Sequence, residues 1–272
     1  MDDTTGTFTT EDGLDLLTRT WTGDGAPTRG MLIVHGLAEH SGRWDHVARF
    51  FADRGYEVSA FDLRGHGQSG GTKGHVGSFN DYVDDLEGIV DSGLVRTDLP
   101  WVLYGHSLGG LISTYYLSED RPHPDAAVVS APALNADVPG VLRAAAQVLG
   151  RIAPKVAMSN PIDGEQLSRD ETVGEVYFAD PLVYPKATTR LGLEMFNAQD
   201  RIGSKIETID TPTLVIHGAD DSLVPPSASA ALASVDGVER KVYPGLRHEV
   251  HNEPEQAQVL SEVAAWLDSA LA

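Results

Sequence analysis

At 272 residues, 41% of them hydrophobic, the chain can bury a substantial core in one domain, or in one domain carrying an insertion. It contains no cysteine, which excludes disulfides, thiolate metal sites and a cysteine nucleophile. Forty Asp and Glu against 20 Lys and Arg give a formal charge of −20, a surface that repels nucleic acid and anionic membranes.

Two origins fit such a surface: general acidity, or adaptation to high salt, where screening suppresses the self-repulsion. The N-terminal MDDTTGTFTTEDG lacks the basic start and apolar run of a secretory signal. No stretch approaches the roughly 18 apolar residues of a membrane span. The expectation is a soluble, cytoplasmic protein.

In chain order, GTFTTEDGLDLLTRTW reads as a β-hairpin turning at Glu11-Asp12-Gly13. Strands are expected at Met31–His35, Tyr56–Phe61, Trp101–Tyr104, Ala126–Ser130, Thr213–His217 and Arg240–Tyr243. Helices are expected at Trp44–Arg54, Phe79–Leu94, Leu108–Ser118, Ser227–Ser234 and Pro254–Leu271. Short apolar runs alternating with longer amphipathic ones predict an α/β protein with a mostly parallel sheet. The alternation breaks between about Leu134 and Lys205. There Val141, Leu142, Ala145, Val148, Leu149 and Ile152 share one helical face, followed by prolines at 154, 161, 181 and 185. This divides the chain into a core of residues 1–133 and 206–272 and a largely helical insertion, 134–205, that could serve as a lid.

The chemistry concentrates at Gly105-His106-Ser107-Leu108-Gly109, a G-x-S-x-G between a strand and a helix. A serine thrust out of a sharp strand-to-helix turn needs neighbours without Cβ, and the helix N-terminus behind it offers free N–H groups to a developing negative charge. A serine hydroxyl is a weak nucleophile without a base and an orienting acid, expected here in the order Ser, acid, His. Asp220 and Asp221 both follow the strand Thr213–His217, and spacing alone leaves them equivalent; Asp137 is a weaker third acid. His248 follows the last strand. Both loops fall at strand carboxyl ends, where ligands bind in open α/β sheets. The turn after Met31–His35, with Gly36, places the Leu37 N–H to join that of Leu108 as an oxyanion hole.

Six stretches, HGLAEHSGRW, FDLRGHGQSGG, GHSLGG, LSRDETVGEVYFADPLVY, HGADDSLVPP and YPGLRHEVHNEPE, resemble the monoacylglycerol lipase family of serine α/β-hydrolases. They run from His35 nearly to the C-terminus. GHSLGG is shared by many hydrolases; the first and fourth stretches are far more specific. The resemblance implies an α/β-hydrolase fold with a helical cap, a triad of Ser107, Asp221 and His248, and oxyanion donors at Leu37 and Leu108. It also implies a glycerol pocket at Glu39, Arg43 and His251, with Tyr177 lining the site near the lid. Mammalian members carry cysteines around the pocket, and this chain has none.

Two motifs compete and lose on context. Gly65-His66-Gly67-Gln68-Ser69-Gly70 fits G-x-G-x-x-G, yet more glycines follow instead of a helix. His248-Glu249-Val250-His251 is one residue short of H-E-x-x-H. The expected enzyme therefore uses no cofactor and no metal. It cleaves monoacylglycerols through an acyl-enzyme, with a lipid ester as its partner, no nucleic acid, and at most transient membrane or micelle contact through the cap. A carboxylesterase or lysophospholipase would use the same triad; a non-catalytic ligand-binding protein is the alternative of another class.

Overall fold

The computed structural model describes residues 3–135, 140–159 and 162–272, without the side chains of residues 141, 142 and 145; Asp137 therefore lies outside the described residues. In chain order the strands and α-helices are β1 (Thr4–Thr9), β2 (Asp15–Thr22), β3 (Arg29–Val34), α1 (Asp45–Ala52), β4 (Tyr56–Phe61), α2 (Phe79–Asp91), β5 (Trp101–His106), α3 (Leu108–Leu117) and β6 (Ala126–Ser130). They continue with α4 (Gly140–Ile152), β7 (Ala157–Ser159), α5 (Gly164–Leu167), α6 (Glu171–Ala179), β8 (Lys186–Thr188), α7 (Thr189–Lys205), β9 (Thr213–Gly218), β10 (Val238–Tyr243) and α8 (Gln256–Ala270).

Eight strands form one sheet in the order β1-β2-β4-β3-β5-β6-β9-β10. From β4 to β10 every pairing is parallel; the β1–β2 hairpin adds an antiparallel edge. Helices on both faces explain why β5, β6 and β9 are buried along their whole length, as central parallel strands must be. Side-chain alternation then sorts the core. Leu32 and Val34 of β3 face the layer of α2, α3 and α7, whereas Met31 and Ile33 face α1 and α8. Local signals agree with this layering. Ser78 and Asp81 close a capping box at the start of α2.

Between β6 and β9 the described residues make four α-helices and the small antiparallel pair β7–β8. The last of these helices, α7, is not separate from the core. Leu191, Ala198 and Ile202 are buried in the same cluster as α2 and α3. The expected helix at Ser227–Ser234 is instead a 3₁₀ helix, Pro226–Ser234, whose run of small residues presents no apolar stripe to hold a longer α-helical turn against the core. The glycine-rich loop after β4 is filled by its own carboxylate. Asp62 accepts from the N–H groups of Ser41 and Gln68 and from the Ser41 hydroxyl, and a Cβ at Gly67 would lie 2.1 Å from the Asp62 carboxylate. An anionic cofactor phosphate would meet that charge.

Candidate active site

Ser107 joins β5 to α3 with φ 53° and ψ −113°, a conformation non-glycine residues adopt only when the surroundings enforce it. The enforcement is visible. Its N–H donates to Ser130 O, and its carbonyl accepts from Leu111 N and Ala133 N. The flanking glycines are required by close approach rather than by their own dihedrals. A Cβ at Gly105 would come within 2.5 Å of Gly109 O, and one at Gly109 within 2.0 Å of Val34 O. Helix α3 therefore crosses directly over β3 and β5, and the half-buried Ser107 is left at the sheet's carboxyl rim.

The loop after β9 turns back so that buried Asp221 accepts from the N–H groups of Leu223 and Val224, both at 2.9 Å. Its Oδ2 lies 2.7 Å from His248 Nδ1. Asp220, one residue earlier, is exposed. Burial alone would raise the Asp221 pKa, but the facing His248 charge and the hydrogen bonds from His217, His248 and Val224 hold it far below the usual carboxylate range. Burial likewise pushes the His248 imidazole down, yet Asp221, with Glu249 and Glu39 beyond it, carries its pKa above the ordinary 6.5. With Nδ1–H engaged by Asp221, Nε2 is the basic nitrogen. The loop bearing His248 is itself gripped by α5, since His248 N and Glu249 N donate to Gln166 O and Leu167 O.

On the other side of Ser107, the loop after β3 comes close enough that a Cβ on Gly36 would sit 3.2 Å from Ser107 Cβ. Neither the Leu37 nor the Leu108 N–H makes a hydrogen bond among the described residues. Ala38 takes a left-handed φ of 63°, and Gly36 N–H donates to Glu39 Oε1 at 2.5 Å, which fixes the turn. Glu39 Oε2 pairs with Arg43 at 2.8 Å, and the same guanidinium pairs with both oxygens of Glu249 at 2.7 and 2.8 Å. Burial raises the Glu39 carboxyl, with Glu249 adding to it. Burial would raise Glu249 too, but Arg43 pulls it far down. Arg43 also lies 4.9 Å over the Tyr177 ring.

Ser107, Leu37, Leu108, His248, Glu39 and Tyr177 share the wall of one cavity of about 270 Å³, together with apolar Leu167, Met195, Leu223 and Val224. The Tyr177 hydroxyl is buried there without a hydrogen-bond partner among the described residues. Arg43 and His251 do not reach this wall. Arg43 stands behind Glu39 and Glu249. His251 is stacked on Trp44 at 4.1 Å and meets His106 at 4.9 Å, while His106 in turn lies 4.7 Å from His248. Burial pushes His251 down to about 3 and His106 well below its ordinary value. Two residues of the site escaped sequence reasoning. His217, at the end of β9, reads in sequence as one more core residue. Gln199 lines the cavity from α7 with its amide bonded to Ala133 O at 2.8 Å, and nothing in its local pattern marks it.

A parallel sheet flanked by helices, with a strained serine at its rim and a carboxylate–histidine pair beside it, defines an α/β-hydrolase. The family model described as serine aminopeptidase, S33 (Hydrolase_4), matches residues 25–255. The monoacylglycerol lipase of Mycolicibacterium smegmatis is 38% identical over 95% of both chains, and phospholipase YtpA of Bacillus subtilis is 30% identical over 92% of this chain and 98% of its own. The crystal structure of Paleococcus ferrophilus monoacylglycerol lipase superposes with a TM-score of 0.84 at 31% identity, covering 94% of this chain and 99% of that one. The chain belongs to the Hydrolase_4 family of α/β-hydrolases, and within it to the monoacylglycerol lipase relatives.

Proposed function

We propose that the chain hydrolyses monoacylglycerols to fatty acid and glycerol, with Ser107 as nucleophile, His248 as base and Asp221 as the orienting acid. The Ser107 hydroxyl adds to the ester carbonyl as His248 Nε2 takes its proton; the Leu37 and Leu108 N–H groups receive the oxyanion. Collapse of the adduct expels glycerol, whose alkoxide takes the proton from His248, leaving an acyl-serine. Water, deprotonated by His248, then releases the fatty acid. Asp221 keeps the imidazole in the Nδ1–H tautomer and offsets the imidazolium charge. The observation that carries this reading is the 2.7 Å Asp221–His248 bond beside a cavity that His248 shares with Ser107.

Glu39 and Tyr177 would bind the glycerol hydroxyls, Arg43 holding Glu39 in place and His251 backing the pocket from behind. Residues 134–205 would act as the cap. Among its described residues, Val148, Leu149, Ile152, Val156, Met158, Val176 and Phe178 are exposed large apolar side chains, a surface suited to brief contact with micelles or membranes. Among the described residues no helix is long and apolar enough to cross a membrane, in keeping with a cytoplasmic enzyme. The phospholipase relative gives the second reading some weight, that of an esterase acting on lysophospholipids.

Turnover of mono-olein, di-olein, lysophosphatidylcholine and short p-nitrophenyl esters separates these readings. Preference for mono-olein is expected; short-ester activity without mono-olein turnover overturns the lipase assignment. Fluorophosphonate should label wild type but not Ser107→Ala. No labelling of wild type would leave a ligand-binding protein.

A further inference from the structure

A second imidazole touches the acid. His217 is wholly buried, and its Nε2 lies 2.8 Å from Val224 O and 3.2 Å from Asp221 Oδ2, the same oxygen that meets His248. Both neighbours are acceptors, so Nε2 must carry the proton; a bare Nε2 would face two oxygens. The other nitrogen agrees. His217 Nδ1 lies 2.9 Å from the Ser229 hydroxyl, which accepts from Arg240 Nε at 3.0 Å. With the proton on Nε2, Nδ1 is a bare acceptor, and at 2.9 Å it lies closer to the Ser229 hydroxyl than Pro226 O does at 3.1 Å, so the Ser229 proton goes to Nδ1. A continuous chain runs from Arg240 through Ser229 and His217 to Asp221, and on to His248.

We propose that His217 is a positioning residue for the acid: the Nε2–H it shares between Val224 O and Asp221 Oδ2 fixes the plane of the carboxylate and draws off part of the charge that Oδ2 presents to His248. The inference rests on the serine hydrolase reading above. Two backbone N–H groups hold Oδ1, so without His217 the only remaining bond on Oδ2 among the described residues is the one to His248 itself. Oδ2 would then offer its full charge to His248 and make that imidazole more basic. The charged and titratable groups around His248 are Asp221 from the loop after β9, His106 from β5, Glu249 and His251 from its own loop, and Glu39 with Arg43 from the loop after β3. Only Asp221 among these touches His217. A change at residue 217 reaches His248 through that carboxylate.

The test uses two amides. In His217→Gln the amide Nε2–H takes the place of the imidazole Nε2–H; in His217→Asn the shorter amide reaches Ser229 but not Asp221. The readout is the rate of fluorophosphonate labelling and of p-nitrophenyl acetate hydrolysis against pH, neither of which needs a glycerol head group. His217→Asn is expected to raise the acid limb by about half a pH unit, a roughly threefold loss of rate on that limb, and to lower kcat with KM unchanged. His217→Gln should restore the wild-type limb. Equal limbs in wild type, Gln and Asn overturn the proposal, even if melting temperatures differ. Nitrogen NMR of histidine-labelled wild type provides a reading independent of any variant: a bare Nε2 on His217 overturns it, and Nε2–H supports it. Labelled wild type with no mono-olein turnover would sink the lipase assignment and leave this inference standing, whereas unlabelled wild type would sink both.

Discussion

Arg43 faces two carboxylates, and replacing it by Met isolates both. The side chains of Glu39 and Glu249 are each 3% exposed and that of Arg43 10%, so water cannot take over the guanidinium's role. The least costly response is to protonate one carboxyl. At pH 7 a glutamate of ordinary pKa, about 4.3, lies about 2.7 units above its midpoint, so neutralising it costs about 3.7 kcal/mol at about 1.4 kcal/mol per unit. That agrees with the roughly 3–5 kcal/mol typical of breaking a buried pair by deleting one partner. In Arg43→Met the folded carboxyl binds its proton more tightly than the unfolded one, so the penalty grows as pH rises above the unfolded pKa of about 4.3. In wild type the depressed Glu249 pKa gives stability that is present above that value and lost below it; the two effects widen the gap in the same direction. Urea unfolding followed by the four tryptophans at pH 5 to 8 is the assay. The loss should be about 3–4 kcal/mol at pH 7 and near 1 kcal/mol at pH 5, and adding Glu249→Gln should recover most of it. A loss below about 1 kcal/mol at pH 7, or one independent of pH, refutes the buried-charge account.

Asp221→Asn should fold normally yet cut kcat by about 10⁴, because an amide cannot hold His248 in the Nδ1–H form; a loss under about tenfold would contradict its role as orienting acid. With the His248 pKa above 6.5 and the neutral imidazole required as base, kcat/KM on an uncharged ester should rise with pH through a midpoint above 6.5. An acid limb centred below 6 would show that Asp221 does not govern that imidazole. Gly109→Ala forces a Cβ to within 2.0 Å of Val34 O, and the backbone cannot yield without moving α3 off β3. It should lower the melting temperature and abolish fluorophosphonate labelling together; wild-type behaviour on both would mean that the elbow has slack.

Much of this architecture was legible because it rests on local patterns. Strand–Ser107–helix could be read from one stretch, since G-x-S-x-G has meaning only where a helix must cross a strand closely. The choice between Asp220 and Asp221 was not legible from spacing; it depends on which side chain the turn after β9 directs inward, and family resemblance alone favoured Asp221. His217 was hidden because a histidine ending a buried strand looks the same whether it fills space or holds a carboxylate. The pocket expected from Glu39, Arg43 and His251 divides in three dimensions. Glu39 reaches the cavity, whereas the ring of His251 is taken up by Trp44 and His106. Helix α7 illustrates the opposite difficulty. Its position within a stretch of irregular pattern suggested an insertion, yet its apolar stripe closes the main core.

The column of rings from Trp44 through His251 and His106 to His248 has a bearing on where protons can travel. Three imidazoles stand in sequence, but dehydration makes two of them refuse a proton near neutrality, and only the third has a carboxylate to welcome it. On the serine hydrolase reading proposed above, a hydrogen ion lifted from the serine would find no relay leading inward through these rings and would return toward the departing alcohol.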